Sequence, residues 1–585
     1  MAANSALVVS SLDFDTIRGN LVNFLQSQSQ FQGYDFSGPN IGVLLDVLSY
    51  NTYLNNFYTN MAISESFLDS AQMFDSVASR AKELNYTPRS YSSAVAYVNL
   101  TISATNSPYS VTIPAYTAFN TRMDSGVYTF STSENIIVYA SNNYTIANVA
   151  IYEGQYVTDT FVVNSTLNNQ QYLLSNPQVD TSSLVITVQN STTDTTNSQF
   201  LQASSLLGYN ANSKIYFIQS ATGGNYQLIF GDGIIGQNLI NGNVITALYR
   251  VASGNVVNSA DSFTPVSTLA GGYTISANTD IPAFGGMENE SIDSIKYNAP
   301  RHYQTQNRAI TVDDYRTILL QQFPIIQAVN VYGGETLNPP DYGSVYIAIA
   351  LTEFEGLPSV IGNNIQNFIQ SKMPIEITPV VLAAANMNIG ITVNVLYNVN
   401  VTTSSVGDIQ NAIMNAIWNY NNNYLEDFDI SFRYSKLAAA IDGADPSIVS
   451  TNLQTYMILE YTPLVNLSTT QLISLSYQNE IQAGSLSSTT FTYNGLLVYL
   501  QDMSNGIIAI VNQVNGIQQV VLNNVGTVNY TTGVFSVNLP PISAYTDDYI
   551  QFNASSFTPD FSVVNNVFLN LHAEDIEINA IGIYQ

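Results

Sequence analysis

The spacing of the apolar residues changes near residue 90, and this change constrains the fold more than any other feature of the chain. Between residues 12 and 85 the apolar residues recur every three or four positions, which predicts three helices. From residue 91 to about residue 280 they alternate with polar residues, which predicts half-buried strands. Helical and strand patterns mix after residue 290. We therefore predict a multidomain, β-rich α+β protein.

A chain of 585 residues is too long for a single hydrophobic core, and the pattern predicts four domains. They are an N-terminal helical region (1–90), a β-rich domain (91–285), an α+β domain (286–460) and a C-terminal β domain (461–585). The α+β domain has strand candidates at 325–332, 343–351 and 380–397, with helices between and after them. This order indicates a ferredoxin-like layer.

The second predicted helix has an apolar stripe and a further apolar face. The stripe consists of Val47, Tyr50, Leu54, Phe57 and Met61, and the further face of Ile41, Leu44 and Leu48. A helix that is apolar on more than one face needs partners on more than one side. We expect the stripe to join a helical bundle with other chains, and an intramolecular helical cap is the alternative. A third helical run is predicted from Phe67 to Leu84.

Turns that contain glycine are predicted between strands at two places. Phe230-Gly231-Asp232-Gly233 predicts a tight hairpin, and Asn529 to Phe535 predicts a second one. The first phrase lacks the lysine of a phosphate-binding loop and has too few acids for a calcium loop. Both segments are therefore predicted to be structural.

Charge is scarce and strongly negative. Only 10% of the residues are charged, and 42 acidic residues against 14 basic ones give a formal net charge of −28. Such a chain is unsuited to binding nucleic-acid phosphates or an anionic membrane. Its polar residues are mainly Asn, Ser, Thr, Gln and Tyr, which suits permanent burial in an assembly; a β-rich protein with polar sheet faces is the alternative. We predict no signal peptide and no membrane span.

Four of the fourteen basic residues fall close together in sequence: Lys296, Arg301, Arg308 and Arg316. On an acidic protein this cluster indicates an acidic partner surface or an intramolecular ion network. A solvated helix face is the third alternative, and the sequence does not choose among them.

No pattern in the chain predicts catalysis. There is no cysteine, and the two histidines, His302 and His572, are far apart in sequence. Neighbouring carboxylates occur at Asp313-Asp314, Glu426-Asp427 and Asp547-Asp548. Glycoside hydrolysis needs two carboxyls that flank a sugar from different elements, and sequence neighbours rarely provide this geometry. We predict no enzyme activity, no cofactor and no metal.

Residues 285–332 carry the most recognisable motif. Glu290 precedes a short predicted helix, Ser291 to Ala299, which Pro300 is expected to end. Arg308 and Ala309 then lead to Thr311, which is followed by Asp314 and Tyr315 in a helix start. This motif resembles the baseplate J-like family of contractile phage tails, in which the Phe230–Gly233 phrase also recurs. Tyr34-Asp35-Phe36, Leu45 to Thr52 and Glu65-Ser66-Phe67 resemble its T4-like wedge members.

The resemblance implies a structural wedge subunit in the tail baseplate of a virion, assembled in the host cytoplasm. It implies a homodimer and a ring around the tail hub through two interfaces, one of them in the C-terminal β domain. Other partners would be the large wedge scaffold, through the N-terminal helices, and the small sheath-nucleating subunit. The ring would hold the baseplate before attachment and transmit the rearrangement that triggers sheath contraction. A receptor-binding or glycan-binding tail fibre is the alternative, and a tailocin or secretion device would look the same in sequence.

Overall fold

The computed structural model describes residues 10–584, apart from residues 11, 32, 37, 104–107, 168–169, 204–207, 338, 353, 355, 426 and 547. The chain divides into two units, of which the first ends at Asn307 and the second begins at Arg308. Each hydrophobic core of the described residues lies within one unit. The predicted β-rich, multidomain α+β class is confirmed.

Helices lie at the start and end of the first unit and among the strands of the second. They are α1 (Phe14–Ser27), α2 (Pro39–Ser64), α3 (Phe74–Glu83), α4 (Ile292–Thr305), α5 (Val312–Gln322), α6 (Ser359–Gln370), α7 (Val406–Tyr424) and α8 (Tyr434–Asp442). No helix among the described residues is long and apolar enough to cross a membrane.

The first unit contains two large sheets. Its strands are β1 (Val95–Ser103), β2 (Ser110–Ile113), β3 (Ala118–Met123), β4 (Gly126–Thr132), β5 (Ile136–Tyr139), β6 (Thr145–Glu153), β7 (Gln155–Val162), β8 (Tyr172–Leu173), β9 (Val179–Gln189), β10 (Asn197–Gln202), β11 (Ile215–Ser220), β12 (Tyr226–Phe230), β13 (Val244–Val251), β14 (Thr264–Pro265) and β15 (Thr274–Phe284). One sheet has the order β14-β3-β4-β6-β1-β15, and the other has the order β7-β13-β9-β10-β11-β12-β8. Inward residues of β1, including Val98 and Leu100, are fully buried, as the alternation predicts.

The second unit is built around one long sheet. Its strands are β16 (Ile326–Gly333), β17 (Ser344–Leu351), β18 (Thr378–Ala383), β19 (Ala385–Asn398), β20 (Ser431–Phe432), β21 (Ile448–Tyr461), β22 (Gln471–Ser476), β23 (Ser487–Ser488), β24 (Phe491–Tyr493), β25 (Leu496–Asp502), β26 (Ile507–Val514), β27 (Ile517–Asn529), β28 (Val534–Leu539), β29 (Ala544–Tyr545), β30 (Ile550–Ala554), β31 (Phe561–Ser562), β32 (Val567–Asn570) and β33 (Ile576–Ile583). The long sheet has the order β22-β28-β27-β26-β25-β23-β30-β21-β19-β32, and β33 also pairs with β19.

Helix α7 packs on this sheet through one stripe of isoleucines. Ser405 and Asp408 form a capping box that fixes its first turn. Ile409, Ile413 and Ile417 follow at four-residue spacing, and all three are fully buried in the core that includes the inward residues of β19. The capped start and the apolar spacing together fix where the helix begins and which face it buries.

The strands of residues 290–460 fall in three sheets, one of them the short pair β20-β31, where the sequence predicts one ferredoxin-like layer. The sheet β16-β17-β18 stands separately, whereas β19 and β21 belong to the long sheet. The predicted strand at 380–397 is in fact two strands, β18 and β19. The predicted boundary at 460 falls inside the long sheet, since β21 pairs with β30. The predicted boundary at 285 lies inside the first unit. The four-domain division therefore stays a prediction.

Pro300 does not end α4, contrary to the prediction. The helix continues to Thr305 with Pro300 inside it. A proline removes one backbone donor and strains the preceding turn. Here Ile295 and Ala299 are fully buried in a core shared with α3, and Thr305 is buried one turn further on. We attribute the continuation to this packing on both sides of the proline.

The third predicted helical run is shorter than its apolar pattern. Helix α3 begins at Phe74, seven residues after the predicted start at Phe67. The carboxylate of Glu65 accepts hydrogen bonds from the backbone N–H groups of Gln72 and Met73, at 2.9 and 3.2 Å. These bonds hold the intervening residues in turns, so the helix starts after them.

Candidate interaction surfaces

Helices α1 and α2 form a helical hairpin with a small apolar interior. The carboxylate of Asp13 accepts the N–H of Thr16 at 2.9 Å and caps α1. Arg18 of α1 forms an ion pair with Asp46 of α2, with a distance of 2.6 Å from Nε to Oδ1. Ile17 and Leu45 are buried. The two helices are therefore held by one ion pair and a narrow apolar contact.

The predicted apolar stripe lies on the surface of α2. Val47 is 60% exposed, Tyr50 is 57% exposed, Phe57 is 44% exposed and Met61 is 39% exposed. Leu54 is half-buried. The described part of this chain thus leaves most of the stripe open to solvent. The role of the stripe residues in binding other chains stays a prediction.

More of α2 is exposed and apolar than the stripe alone. Leu44 and Leu48, from the second predicted face, are exposed. Val43 and Tyr58 of α2 and Phe24 of α1 are exposed as well, and the sequence interpretation does not single them out. Asp46 is the single charged residue among the 26 of this helix. Soluble monomers rarely expose an apolar patch of this extent, so the surface is suited to burial against a partner.

Glu290, the acid of the recognised motif, is a buried hydrogen-bond acceptor. The hydroxyl of Tyr86 lies 2.8 Å from both of its carboxylate oxygens. Oε1 also accepts from Oγ of Ser294 at 2.6 Å and from Nδ2 of Asn298 at 3.0 Å. Oε2 accepts the backbone N–H of Arg89 at 3.1 Å. Glu290 therefore ties the segment after α3 to the first two turns of α4.

The burial of this site and the contact with Glu290 change the pKa of Tyr86. Burial raises the pKa of Tyr86 far above its usual value, and the neighbouring Glu290 carboxylate raises that pKa further. Tyr86 is therefore protonated at neutral pH and donates to Glu290. The contact is a structural link.

The remaining residues of the 285–332 motif build the start of α5. The hydroxyl of Thr311 accepts the N–H of Asp314 at 3.3 Å, and Asp314 accepts the N–H of Thr311 at 2.8 Å. This is the predicted capping box, and it confirms the predicted helix start. Ala309 is fully buried, and burial raises the pKa of Tyr315. Arg308 is exposed. These residues shape a helix terminus and show no arrangement suited to chemistry.

The Phe230–Gly233 phrase forms a tight turn, and the predicted hairpin is wrong. Strand β12 pairs with β11 and β8, whereas β13, which follows the turn, pairs with β7 and β9. The carboxylate of Asp232 accepts the N–H groups of Ile234 and Ile235, both at 2.9 Å, which lowers its pKa. The ring of Phe230 packs on Tyr172, Phe200 and Tyr216.

The four clustered basic residues make no ion pair among the pairs found in the described residues. Arg301 lies over the ring of Tyr297, with 3.5 Å from Cζ to the ring centroid, and donates to the carbonyl of that residue at 2.8 Å. Arg316 donates to the carbonyl of Val329 at 2.9 Å. Burial acts to raise the pKa of Glu65, and hydrogen bonds, first that from the backbone of Gln72, lower it overall; the charge of Lys296 adds a small effect in the same lowering direction.

The described residues contain no group of three or more His, Cys, Asp or Glu side chains that could hold a metal. His302 packs edge-on against the ring of Tyr86, and Nδ1 of His572 lies 3.8 Å from Glu574. Glu426 and Asp547, from two of the candidate carboxylate pairs, lie outside the described residues.

Three segments of the chain match family models of baseplate proteins. Residues 13–86 match the helical domain of the gp6-like baseplate wedge proteins. Residues 311–382 match C-terminal domain I of the baseplate structural protein gp6, and residues 386–460 match its C-terminal domain III. With the relative described next, these matches support a baseplate wedge protein, a structural component of a virus tail. The baseplate J-like label stays a prediction, since the matched models are gp6-like.

The chain is similar over nearly its whole length to one baseplate protein in particular. It is 26% identical to the baseplate wedge protein gp6 of Enterobacteria phage T4, and the alignment covers 98% of this chain and 91% of that protein. The baseplate of the anti-feeding prophage is 13% identical with a TM-score of 0.31, over 77% of this chain and 95% of the other. The TssK-TssF-TssG baseplate subcomplex of the type VI secretion system is 10% identical with a TM-score of 0.32, over 57% and 96%. The two structural likenesses carry no inference at these scores.

Proposed function

We propose that this chain is a wedge subunit of a contractile phage tail that self-associates into a ring around the tail hub. The observation that carries the proposal is the exposed apolar face of α2, which has one charged residue in 26. Burying such a face against other helices removes apolar surface from water and so stabilises the assembly. The large wedge scaffold would supply those helices, and the second unit would supply a further self-contact as a homodimer.

The proposed mechanism involves interfaces and no bond chemistry. The ring holds the baseplate before attachment, and a switch between two arrangements of its interfaces transmits the rearrangement that triggers sheath contraction. The small sheath-nucleating subunit is a further proposed neighbour. Assembly in the reducing host cytoplasm is compatible with a chain that has no cysteine. The similarity to gp6 of phage T4 supports this proposal.

Two substitutions in the hairpin of α1 and α2 test the proposal. Leu54→Glu places a charge in the stripe, whereas Gln26→Glu places the same charge at an exposed position of α1 that faces roughly away from the exposed Phe24 of that helix. We expect Leu54→Glu to abolish co-purification with co-expressed wedge proteins while its circular dichroism melt stays close to that of the wild type. Gln26→Glu should assemble normally. Wild-type assembly by a well-folded Leu54→Glu protein would contradict the proposal, and an SDS-resistant trimer of the wild type would favour a tail fibre.

A further inference from the structure

Strands β26 and β27 pair beyond the ends of their neighbours. Their register runs from Val511↔Val520 through Asn512↔Gln519 and Gln513↔Gln518 to Val514↔Ile517. Asn515 and Gly516 close it with φ values of 50° and 79°, as a two-residue type I′ turn requires. The other neighbours end earlier: β25 pairs with β26 as far as Val511, and β28 pairs with β27 only from Gly526. We call residues 512–524 the β26–β27 arm.

The arm carries no charge and exposes several apolar side chains among its amides. Val514, Ile517, Val520 and Leu522 are all exposed. No Asp, Glu, Lys or Arg occurs between Asp502 and Asp547. Natural proteins protect a free strand edge with charges, proline or a very short strand, because an open edge pairs with other chains. The outer edge of β27 from Ile517 to Val520 has no charge and no proline, and its protections are its short length and the bulge at Val521.

The backbone groups of this edge can be assigned from the register. Residues of an antiparallel pair alternate between hydrogen-bonded and non-hydrogen-bonded positions, and a two-residue turn is closed by a hydrogen-bonded pair. Val514 and Ile517 form that closing pair, so Gln519 bonds to Asn512 across the arm. The N–H and C=O groups of Gln518 and Val520 therefore face outward. Among the described strands, none pairs with them.

We infer that the outer edge of the β26–β27 arm pairs with the same edge of a second copy of this chain. The two strands would run antiparallel about a two-fold axis through Gln519. Gln518 would lie opposite Val520 of the second copy, and the two copies of Gln519 would face each other. Each of the two Gln518–Val520 pairs exchanges two hydrogen bonds, so the contact forms four backbone bonds.

Charge is the reason for assigning a second copy to this edge. After Lys436 the chain has acidic residues and no Lys or Arg, so two copies of this region repel each other wherever their acids meet. The arm is a long stretch where two copies approach without that repulsion. It also presents to a second copy an uncharged strand edge that has the same length as the edge it would pair with. The inference deepens the proposed function, because it rests on the self-association proposed there and names the strand that would mediate it.

A cysteine-free chain allows a direct test with the full-length protein. In the proposed register the Cα atoms of the two Gln519 residues form a non-hydrogen-bonded pair about 4.5 Å apart, which lies within disulfide reach. Gln519→Cys should therefore give a dimer band on a non-reducing gel after mild oxidation. Gln513→Cys, on the other edge of the same arm, is the matched control and should stay monomeric on that gel.

A second pair of variants separates edge pairing from a general effect on the arm. Gln518→Pro removes an outward N–H of β27 and leaves the hydrogen bonds within the arm intact. Gln513→Pro does the same on β26. Each proline variant is combined with Gln519→Cys. We expect Gln518→Pro to reduce the cross-linked fraction at least tenfold and Gln513→Pro to leave it unchanged.

Each outcome decides the inference. If the wild type associates in sedimentation experiments but Gln519→Cys gives no dimer, the arm is not the contact, although self-association stands. Equal cross-linking of Gln513→Cys, or equal loss with both prolines, also overturns the inference. A wild type that stays monomeric at every concentration overturns both the inference and the proposed homodimer.

Discussion

Glu290 is a buried carboxylate whose contacts in the described structure are neutral donors. Replacing it with alanine leaves the hydroxyls of Tyr86 and Ser294 and the backbone N–H of Arg89 without this acceptor, whereas Asn298 keeps its hydrogen bond to Oγ of Ser294. We expect Glu290→Ala to lower the free energy of unfolding by about 3 kcal/mol or more, because each stranded buried donor costs about 1–3 kcal/mol. Urea unfolding followed by fluorescence measures this. The exposed neighbour Glu288 is the control, and equal losses for Glu288→Ala and Glu290→Ala would contradict the prediction.

Glu153 is a buried acid whose protonation links stability to pH. Burial raises its pKa, although hydrogen bonds from Ser253 and the charge of Arg250 act in the opposite direction. The folded state therefore holds the proton more tightly than the unfolded chain does, so this group contributes less stability as pH rises through the raised pKa. Glu153→Gln removes that titration. Its melting temperature relative to the wild type should rise between about pH 4 and pH 7, and an unchanged difference would contradict the assignment.

Helix α5 begins at a capping box that was visible in the sequence. Thr311→Ala removes the capping hydroxyl and should lower the free energy of unfolding of the second unit by about 1 kcal/mol. Thr311→Ser keeps the hydroxyl and should lose much less. Denaturant titration of both variants distinguishes a capping effect from a packing effect, since equal losses would point to the methyl group.

The turn after β12 contains two glycines, one needed for lack of space and the other for its backbone conformation. A Cβ on Gly231 would overlap the backbone of Gly236, whereas a Cβ on Gly233 would lie 3.6 Å from Cβ of Asn238, an ordinary contact, at a φ of +87°. We expect Gly233→Ala to cost about 1–2 kcal/mol through its backbone conformation. Gly231→Ala should cost more than 3 kcal/mol or prevent folding, because two backbone segments must separate. Similar thermal stability of the two variants would contradict this ranking.

Elements with local signals were predictable, and elements that depend on distant partners were not. The capping box at Thr311 and the hairpin between β27 and β28 were both found from sequence, since each is decided by a few neighbouring residues. Pro300 was assigned as a helix end because the burial of Ile295 and Ala299 against α3 cannot be seen locally. The turn at Gly231 was assigned as a hairpin because nothing in its sequence shows that β13 pairs with β7 and β9.

On the scale of the whole molecule, the division at Asn307 predicts independent folding. No core cluster of the described residues includes side chains from both units. We therefore expect residues 308–585, expressed alone, to unfold cooperatively in calorimetry, at a temperature close to one transition of the full chain. The absence of a cooperative transition in this fragment would contradict the prediction.

The sequence revealed part of the candidate interaction surface. It predicted the stripe on α2 because helical periodicity is a local property, and four of those five side chains are exposed. It did not predict the β26–β27 arm, although Asn515-Gly516 between alternating apolar residues is a hairpin signal. The missing information was that β25 and β28 stop short of the arm. The pairing of β21 with β30 across the predicted boundary at 460 was not visible in the sequence for the same non-local reason.

The parallel pairing of β33 with β19 also bears on how the protein is made. Nδ2 of Asn579 donates to Oδ1 of Asn394, and these residues are 185 positions apart. At roughly 5–20 residues per second, a ribosome needs about 10–40 s to synthesise that interval. During this time the edge of β19 that pairs with β33 is open, although β21 can already pair with its other edge. A nascent chain that terminates early lacks this pairing, so premature translation products would fail to complete the sheet and would be left for proteolysis before they could enter a tail.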